Sequence, residues 1–156
     1  MSRLLAIDLG ERRIGLAVAD TESRSVRPLA TIRRSSDERD GRTLSRVVEE
    51  QRIDELVIGL PLNMDGSEGE QAAKTRAWAA VQVEACGVPI TWRDERLTSE
   101  RAEQETGPPA RGRSGGPPSP VARAAHRARI DRLAAVAIAQ AEIDARAAIA
   151  RGDPER

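Results

Sequence analysis

Asp8 has the best position for chemistry in this sequence. It ends an apolar run that begins at Leu4, and Gly10 separates it from an alternating stretch between Arg13 and Asp20. The pattern predicts that Asp8 lies on a strand inside a sheet, which is a rigid mount for a functional side chain. An acid there without a basic neighbour in the sequence is poorly explained by packing, and it is suited to holding a metal ion.

The chain offers few soft metal ligands. His126 is the only histidine, Cys86 is the only cysteine, and no Cys-x-x-Cys pair occurs. A zinc site is therefore not expected, and any metal should be held by oxygen ligands. A single cysteine also excludes an internal disulfide bond.

A basic segment is the second feature that could do chemistry. Residues 111–130 contain no acid, and they carry Arg111, Arg113, Arg123, Arg127 and Arg129. Such a patch would neutralise backbone phosphates and would be largely blind to base sequence. The alternative interpretation is a solvated loop in a chain whose positive charge is almost entirely arginine.

The composition predicts one domain and a local rather than a global site for a charged partner. The 156 residues are enough for a single core. Because 25 basic residues balance 25 acidic ones, the net charge is zero and gives no overall electrostatic footprint for nucleic acid. Without a signal-peptide pattern or an apolar run near ~18 residues, we expect a cytoplasmic protein with no membrane partner.

The first half of the chain predicts three consecutive strands followed by a helix. Residues 3–9, 13–20 and about 25–33 form an antiparallel meander with tight turns. Ser35 and Glu38 have the spacing of a capping box, and a helix should then run to about Arg52. Asp20, at the end of the second strand, is either a turn-forming acid or a site residue.

The next segment predicts an alternation of strands and helices. Residues 55–59 and 88–93 have strand character, and a helix lies between them, with a capping box at Ser67 and Glu70 and an end at Gly87. A short helix should begin near Glu100, capped by one of the two residues before it.

The remainder predicts an irregular loop and a long helix. Residues 107–120 hold five prolines and four glycines, so we expect a flexible loop at about 105–120. Residues 121–150 have one face of small and apolar side chains: Ile130, Leu133, Ala134, Ala137 and Ala141. We therefore predict a single domain over residues 1–150 and a disordered tail over residues 151–156.

Three segments carry a family resemblance. They are Asp8-Leu9-Gly10 with Arg13-Ile14-Gly15, then Gly59-Leu60-Pro61-Leu62-Asn63-Met64-Asp65-Gly66-Ser67, then Asp94-Glu95-Arg96-Leu97-Thr98-Ser99, joined by Ile130-Asp131 and Ala134-Ala135. With these motifs in order over almost the whole chain, the sequence closely resembles the YqgF family, the RuvX-like Holliday junction resolvases and candidate pre-16S ribosomal RNA nucleases. The element order and the resemblance agree on an α/β, ribonuclease H-like fold, in which three antiparallel strands and then parallel strands form a mixed five-stranded sheet with helices on both faces.

The resemblance implies a catalytic set of three acids that would also be the metal ligands: Asp8, Glu95 and Asp131. Two divalent ions held by clustered carboxylates activate water and relieve charge on the leaving oxygen during phosphodiester hydrolysis. Oxygen ligands favour Mg²⁺ or Mn²⁺. Asp94 is the competing ligand beside Glu95, and solvated surface charge is the alternative interpretation of Asp131.

The predicted nucleic-acid contacts combine motif residues with the basic segment. They are Arg13, Asn63, Ser67, Arg96, Arg111, Arg113, Arg127 and Arg129. The loop from Asn63 to Ser67 leads into a helix whose free amides favour an anion, although plain helix capping explains Ser67 equally well.

The resemblance implies a nuclease that acts at the 5′ end of the 16S ribosomal RNA precursor. A four-way DNA junction is the alternative substrate, and a non-catalytic nucleic-acid-binding factor in ribosome assembly or transcription is the alternative function. We expect a monomer or a weak homodimer. The segment 104–120 is longer and richer in glycine and proline than the corresponding segment of the family. The resemblance therefore defines the three acids better than it defines the loop on the substrate side.

Overall fold

The fold was described from a computed structural model, which describes residues 2–96, 111–112 and 115–152, apart from the side chain of Asp131. Within these residues the strands are β1 (Arg3–Leu9), β2 (Arg13–Asp20), β3 (Val26–Arg33), β4 (Glu55–Leu60) and β5 (Ile90–Asp94). The helices are α1 (Asp37–Gln51), α2 (Glu70–Cys86) and α3 (Pro120–Ala150). Three predicted segments lie partly or wholly outside the described residues: the short helix near residue 100, the flexible loop at about 105–120 and the tail over residues 151–156.

The five strands form one mixed sheet in the order β3-β2-β1-β4-β5. The pairs β1–β2 and β2–β3 are antiparallel, whereas β1–β4 and β4–β5 are parallel. The predicted sheet, with a meander first and parallel strands after it, is therefore confirmed. Pro28 lies on the edge strand β3, where the missing amide hydrogen does not interrupt a central ladder.

Successive side chains of β1 enter different cores, as the alternation of a strand requires. Leu5 and Ile7 pack with α1 and α2, whereas Leu4 and Ala6 pack with α3. The sheet is therefore covered on both faces, which agrees with the prediction. Asp8 is the next residue on the α3 face.

The helix α1 begins one residue later than predicted. Ser36 is its N-cap and accepts a hydrogen bond from the amide of Arg39 at 3.2 Å. The amide of Ser35 instead donates to the buried carboxylate of Asp40, which also accepts from Nε1 of Trp78 at 3.3 Å. The prediction of a Ser35 cap was wrong because tertiary contacts of Asp40 fix the entry into the helix.

The helix α2 also begins without the predicted capping box. Gly69 is its N-cap and makes no side-chain capping bond, so Ser67 lies two residues before the cap. The other end follows the prediction: Gly87 closes the helix with a φ of 68°, a left-handed conformation that glycine adopts without strain.

The helix α3 buries a different stripe from the predicted one. Ser119 caps it and Pro120 occupies its first turn. Its buried apolar residues in the sheet contact are Ala134, Ala135, Ile138, Ala139 and Ile143. Of the predicted face only Ala134 is among them, and the other four are partly buried: Ile130, Leu133, Ala137 and Ala141. The predicted face was rotated because an alanine-rich helix is apolar on several sides, so the sequence pattern alone does not select one.

A charged network attaches the second half of α3 to the parallel strands. The buried carboxylate of Glu142 accepts hydrogen bonds from Arg93 on β5 and from Arg146 at 2.8 Å. Arg146 also donates to Glu55 on β4. Burial alone would raise the pKa of Glu142, but the hydrogen bonds from Arg146 and Arg93 outweigh it and hold the pKa below its usual value.

None of the helices seen in the described part of the chain is both long and apolar enough to cross a membrane.

Candidate active site

Asp8 lies at the carboxyl end of β1, on the face of the sheet covered by α3. It is in register with Gly15 of the neighbouring strand β2, and only 7% of its surface is exposed. No lysine or arginine among the described residues forms an ion pair with it. Asp8 therefore lies on a strand inside the sheet, as the sequence predicts, and its side chain is buried there.

Glu95 reaches the same position from the other side of β4. It directly follows β5, and its amide donates to the carbonyl of Leu60 at 3.1 Å, which continues the strand pairing. Its side chain is hydrogen-bonded to that of Asp8 and is 9% exposed. Two acids separated by 87 positions in the sequence thus meet at one edge of the sheet.

The contact between these acids depends on Gly59, which was not predicted to be a site residue. Gly59 belongs to β4, the strand between β1 and β5. A Cβ atom at this position would lie 3.1 Å from Cδ of Glu95 and 2.6 Å from Cδ1 of Ile138. The absence of a side chain therefore leaves space for the carboxyl group of Glu95 beneath α3.

Burial is the main influence on the protonation of Asp8. It raises the pKa of Asp8, because the charged form loses hydration, and the hydrogen bond with Glu95 offsets only part of that rise. Two carboxyl groups in contact share a proton more readily than they carry two charges. A cation that replaces the proton would relieve the same repulsion, so the donor set fits a divalent ion with oxygen ligands.

Asp131 lies on α3, and its backbone is close to the residues of β2 and β3 that are in register with Asp8. Oγ1 of Thr31 donates to the carbonyl of Ala128 at 3.2 Å, and Thr31 is in register with Gly15, the partner of Asp8. Asp131 is one helical turn beyond that contact. Its side chain is outside the described part, and the described residues alone contain no group of three potential metal ligands.

A small cleft opens beside the two acids. We call it the carboxylate cleft; it has a volume of about 280 Å³ and includes Asp8, Gly10, Leu62, Gln71, Glu95 and Arg96 in its lining. Gln71, an exposed residue in the first turn of α2, was not predicted. Its only signal in the sequence is its position just after the motif that ends at Ser67.

Arg96 lies at the border of the carboxylate cleft and is paired with Asp94. Its guanidinium donates to the Asp94 carboxylate at 2.6 Å and to the carbonyl of Met64 at 3.3 Å. The hydrogen bond with Arg96 lowers the pKa of Asp94. Asp94 therefore has a cationic partner, whereas the neighbouring Glu95 turns towards Asp8.

The loop from Asn63 to Ser67 is closed by its own hydrogen bonds. Nδ2 of Asn63 donates to Oγ of Ser67 at 3.0 Å, and the amide of Ser67 donates to Asp65 at 2.9 Å. A Cβ atom on Gly69 would lie 2.9 Å from Oδ1 of Asn63, so the entry to α2 is tightly packed. These two predicted contact residues stabilise a compact loop next to Arg96.

A second, wider depression lies on the same face of the sheet. We call it the basic groove; it has a volume of about 660 Å³ and is lined by residues that include Arg12, Arg13, Thr31, Arg33, Arg123 and Arg127. It brings together two predicted contacts, Arg13 and Arg127, and adds three arginines from outside the predicted set. Arg129 is exposed on α3 and Arg111 is exposed before it, but neither lines the groove; Arg113 lies in a part of the chain that the structure does not describe.

Asp20 and His126 lie outside both the carboxylate cleft and the basic groove. Asp20 accepts hydrogen bonds from the amides of Glu22 and Ser23, so it forms the turn after β2. Nδ1 of the partly buried His126 on α3 is itself buried and has no hydrogen-bond partner among the described residues.

The mixed sheet, its strand order and the carboxylate pair at its edge define a ribonuclease H-like α/β fold. The chain belongs to the RuvX family, whose model is described as Holliday junction resolvase and matches residues 2–145. The predicted family is therefore confirmed.

Relatives and solved structures agree with this assignment. A protein of Chloroflexus aurantiacus, named as a candidate pre-16S rRNA nuclease, is 38% identical over 98% of this chain and 91% of its own. One of Anaeromyxobacter with the same name is 46% identical over 65% of this chain and 74% of its own. The structure of Thermus thermophilus RuvC with a Holliday junction substrate is similar at a TM-score of 0.53 and 17% identity, over 94% of this chain and 96% of that one.

Proposed function

We propose that this protein is a divalent-metal-dependent nuclease that processes the 5′ end of the 16S ribosomal RNA precursor. Its membership of the RuvX family and the nuclease names of its relatives make it a phosphodiester hydrolase. The observation that carries the proposal is the buried, hydrogen-bonded pair of Asp8 and Glu95 at the edge of the sheet. The protein would act in the cytoplasm as a monomer or a weak homodimer.

The proposed metal ligands are Asp8, Glu95 and Asp131, with Mg²⁺ or Mn²⁺ as the ion. When bound, divalent ions supply an activated water and neutralise charge on the leaving oxygen. The chain itself contributes position, because Asp8 is fixed by strand pairing and Glu95 by the backbone bond to Leu60. Their low exposure keeps bulk water away from the pair, which strengthens its interaction with a cation.

Residues around the carboxylate cleft would orient the substrate. Arg96 is close enough to the cleft to meet a phosphate, and its ion pair with Asp94 holds the guanidinium there. Gln71 offers an amide that can donate to a phosphate or a sugar hydroxyl. The compact loop containing Asn63 and Ser67 would support this side of the cleft.

The ribosomal RNA precursor is proposed as the substrate because several relatives are named for it. The second candidate is a four-way DNA junction. It is favoured by the description of the family model and by the similarity to RuvC, whose likeness here shows the fold alone. The same carboxylate site could serve either polymer, since the chemistry is at the phosphodiester.

A cleavage assay tests the proposal and separates the two substrates. Purified protein is incubated with a precursor RNA that carries the 5′ leader and, separately, with a four-way junction, each with Mg²⁺, Mn²⁺ or a chelator. We expect metal-dependent cleavage of the RNA by the wild type and none by Asp8→Asn. Cleavage of the junction alone would assign the second substrate.

The third predicted function, a nucleic-acid-binding factor without catalysis, makes the opposite prediction. In that case neither substrate is cut under any metal condition, and Asp8→Asn supports ribosome assembly in cells as well as the wild type does. Both results together would overturn the nuclease proposal.

A further inference from the structure

The basic groove joins two parts of the chain that are far apart in sequence. Arg33 approaches it from β3 and Arg12 from the turn between β1 and β2, whereas Arg123 and Arg127 approach it from the first turns of α3. All four side chains are exposed. Arginines from segments separated by about 90 positions therefore face one depression.

The described lining of the groove carries positive charge without acids of its own. None of the described residues that line it is Asp or Glu. The N-terminus of α3 adds the positive end of a 31-residue helix, whose first turn carries no acid. Four exposed guanidinium groups in one depression repel one another unless anions are present, so the groove is suited to a polyanion.

The groove lies on the same face of the sheet as Asp8, and one of its lining residues is in register with Asp8 across the strands. Thr31, which lines the groove, is in register with Gly15, and Gly15 is in register with Asp8. Two strand spacings correspond to about 10 Å. That distance equals about three nucleotide steps of a stacked strand.

The described lining consists of arginines, one threonine and small or aliphatic side chains, and it offers no aromatic ring for base stacking. Neither tryptophan, the only aromatic residue type in the chain apart from His126, is among the lining residues that the structure describes. The two tryptophans are occupied elsewhere: Trp78 is buried in the core, and the guanidinium of Arg76 covers Trp92 at 4.8 Å. Recognition there should therefore depend on phosphates and not on bases.

We propose that the basic groove is an anchoring site for the phosphodiester backbone of a single substrate strand, about three nucleotides from the phosphate at the carboxylate cleft. The volume of about 660 Å³ is within the range of ~300–1000 Å³ that accommodates a drug-sized ligand, so it takes a short stretch of one strand. The inference rests on the proposed function for the position of the cut, but binding in the groove requires no catalysis.

The test measures binding without cleavage. The background variant is Asp8→Asn in the presence of a chelator, and the probe is a short, fluorescently labelled single-stranded RNA followed by anisotropy. The double substitution Arg33→Ala with Arg123→Ala removes one cation from each side of the groove. The matched control, Arg42→Ala with Arg46→Ala, removes two exposed arginines from α1 on the opposite face of the sheet.

We expect the groove variant to bind about tenfold more weakly than the background protein, and the control within about twofold. The slope of log affinity against log salt should also become shallower by about 0.7 for each phosphate that the variant no longer neutralises. The same strand with abasic sites in place of its bases should bind as well as the intact strand. Equal affinity of groove and control variants, or much weaker binding of the abasic strand, would overturn the inference.

Cleavage assays keep this result separate from the proposed function. In an otherwise wild-type protein the groove substitutions should raise KM and leave kcat nearly unchanged, since they remove binding away from the reacting phosphate. If the wild type cuts RNA and the groove variant binds normally, the groove inference fails and the nuclease stands. If the groove variant binds weakly and the wild type cuts nothing, the groove inference stands and the nuclease proposal fails.

Discussion

The carboxyl group of Glu95 lies directly against the main chain of Gly59, so that a Cβ atom there would be 3.2 Å from Oε2. Because β4 separates β1 from β5, Glu95 must pass this point to reach Asp8. Gly59 therefore controls how closely Glu95 approaches Asp8, although it takes no part in the chemistry itself.

Gly59→Ala should therefore weaken Mn²⁺ binding by about tenfold or more, because the added methyl group displaces the Glu95 carboxylate. It should also lower the free energy of unfolding by about 1–3 kcal/mol through overpacking against Ile138. Gly41→Ala is the matched control, since its Cβ would lie 3.0 Å from Ala85 on the opposite face of the sheet. Isothermal titration should show normal Mn²⁺ affinity for the control; equally weakened binding in both variants would contradict a local effect.

Glu95, and not its neighbour Asp94, is predicted to contribute to metal binding. Glu95→Gln should weaken Mn²⁺ binding by about 100-fold, whereas Asp94→Asn should retain it within a few fold because Asp94 is paired with Arg96. Titration of each purified variant measures the difference. The opposite order would assign Asp94 as the ligand.

The third acid can be tested in the same way on α3. Asp131→Asn should weaken Mn²⁺ binding and cleavage together, while Asp144→Asn, an exposed acid farther along the helix that pairs with Gln140, should alter neither. Circular dichroism confirms that both variants keep the fold. Normal metal binding by Asp131→Asn would remove this residue from the ligand set.

The raised pKa of Asp8 predicts a stability change with a definite sign. Because the folded protein holds this proton more tightly than the unfolded chain does, its contribution is present at low pH and is lost as pH rises through the raised pKa. Without metal at neutral pH, Asp8→Asn should therefore be more stable than the wild type, with a Tm about 2–5 °C higher. The difference should vanish in acid, and thermal melts across pH would show it; a constant difference would contradict the assignment to Asp8.

Glu142 predicts the opposite pH dependence. Its pKa is held below the usual value, so its stabilising contribution is present near neutral pH and is lost as pH falls through the lowered pKa. Glu142→Gln should lower the free energy of unfolding by about 2–4 kcal/mol at neutral pH, because two arginines lose a buried partner. Glu70→Gln removes an exposed pair with Lys74 and should change it by less than about 0.5 kcal/mol in urea melts.

Much of the fold could be predicted from the sequence because the signals are local. The alternation around Asp8 identifies a strand, and Gly87 ends a helix wherever the rest of the chain lies. The start of α1 could not be predicted as well, since Asp40 and Trp78 decide it through a contact across 38 positions. The buried face of α3 was predicted incorrectly for a related reason: alanine can pack against the sheet from any side of a helix.

The sequence by itself determined the family, the order of the strands and helices, and the placement of Asp8 on a strand, because each depends on short motifs or on local periodicity. Only the tertiary structure decided which acid meets Asp8 and which arginines share a groove. Glu95 reaches Asp8 over a glycine in an intervening strand, and Arg33 faces Arg123 because α3 crosses β3. Those relationships arise from the packing of distant segments, which no local pattern specifies.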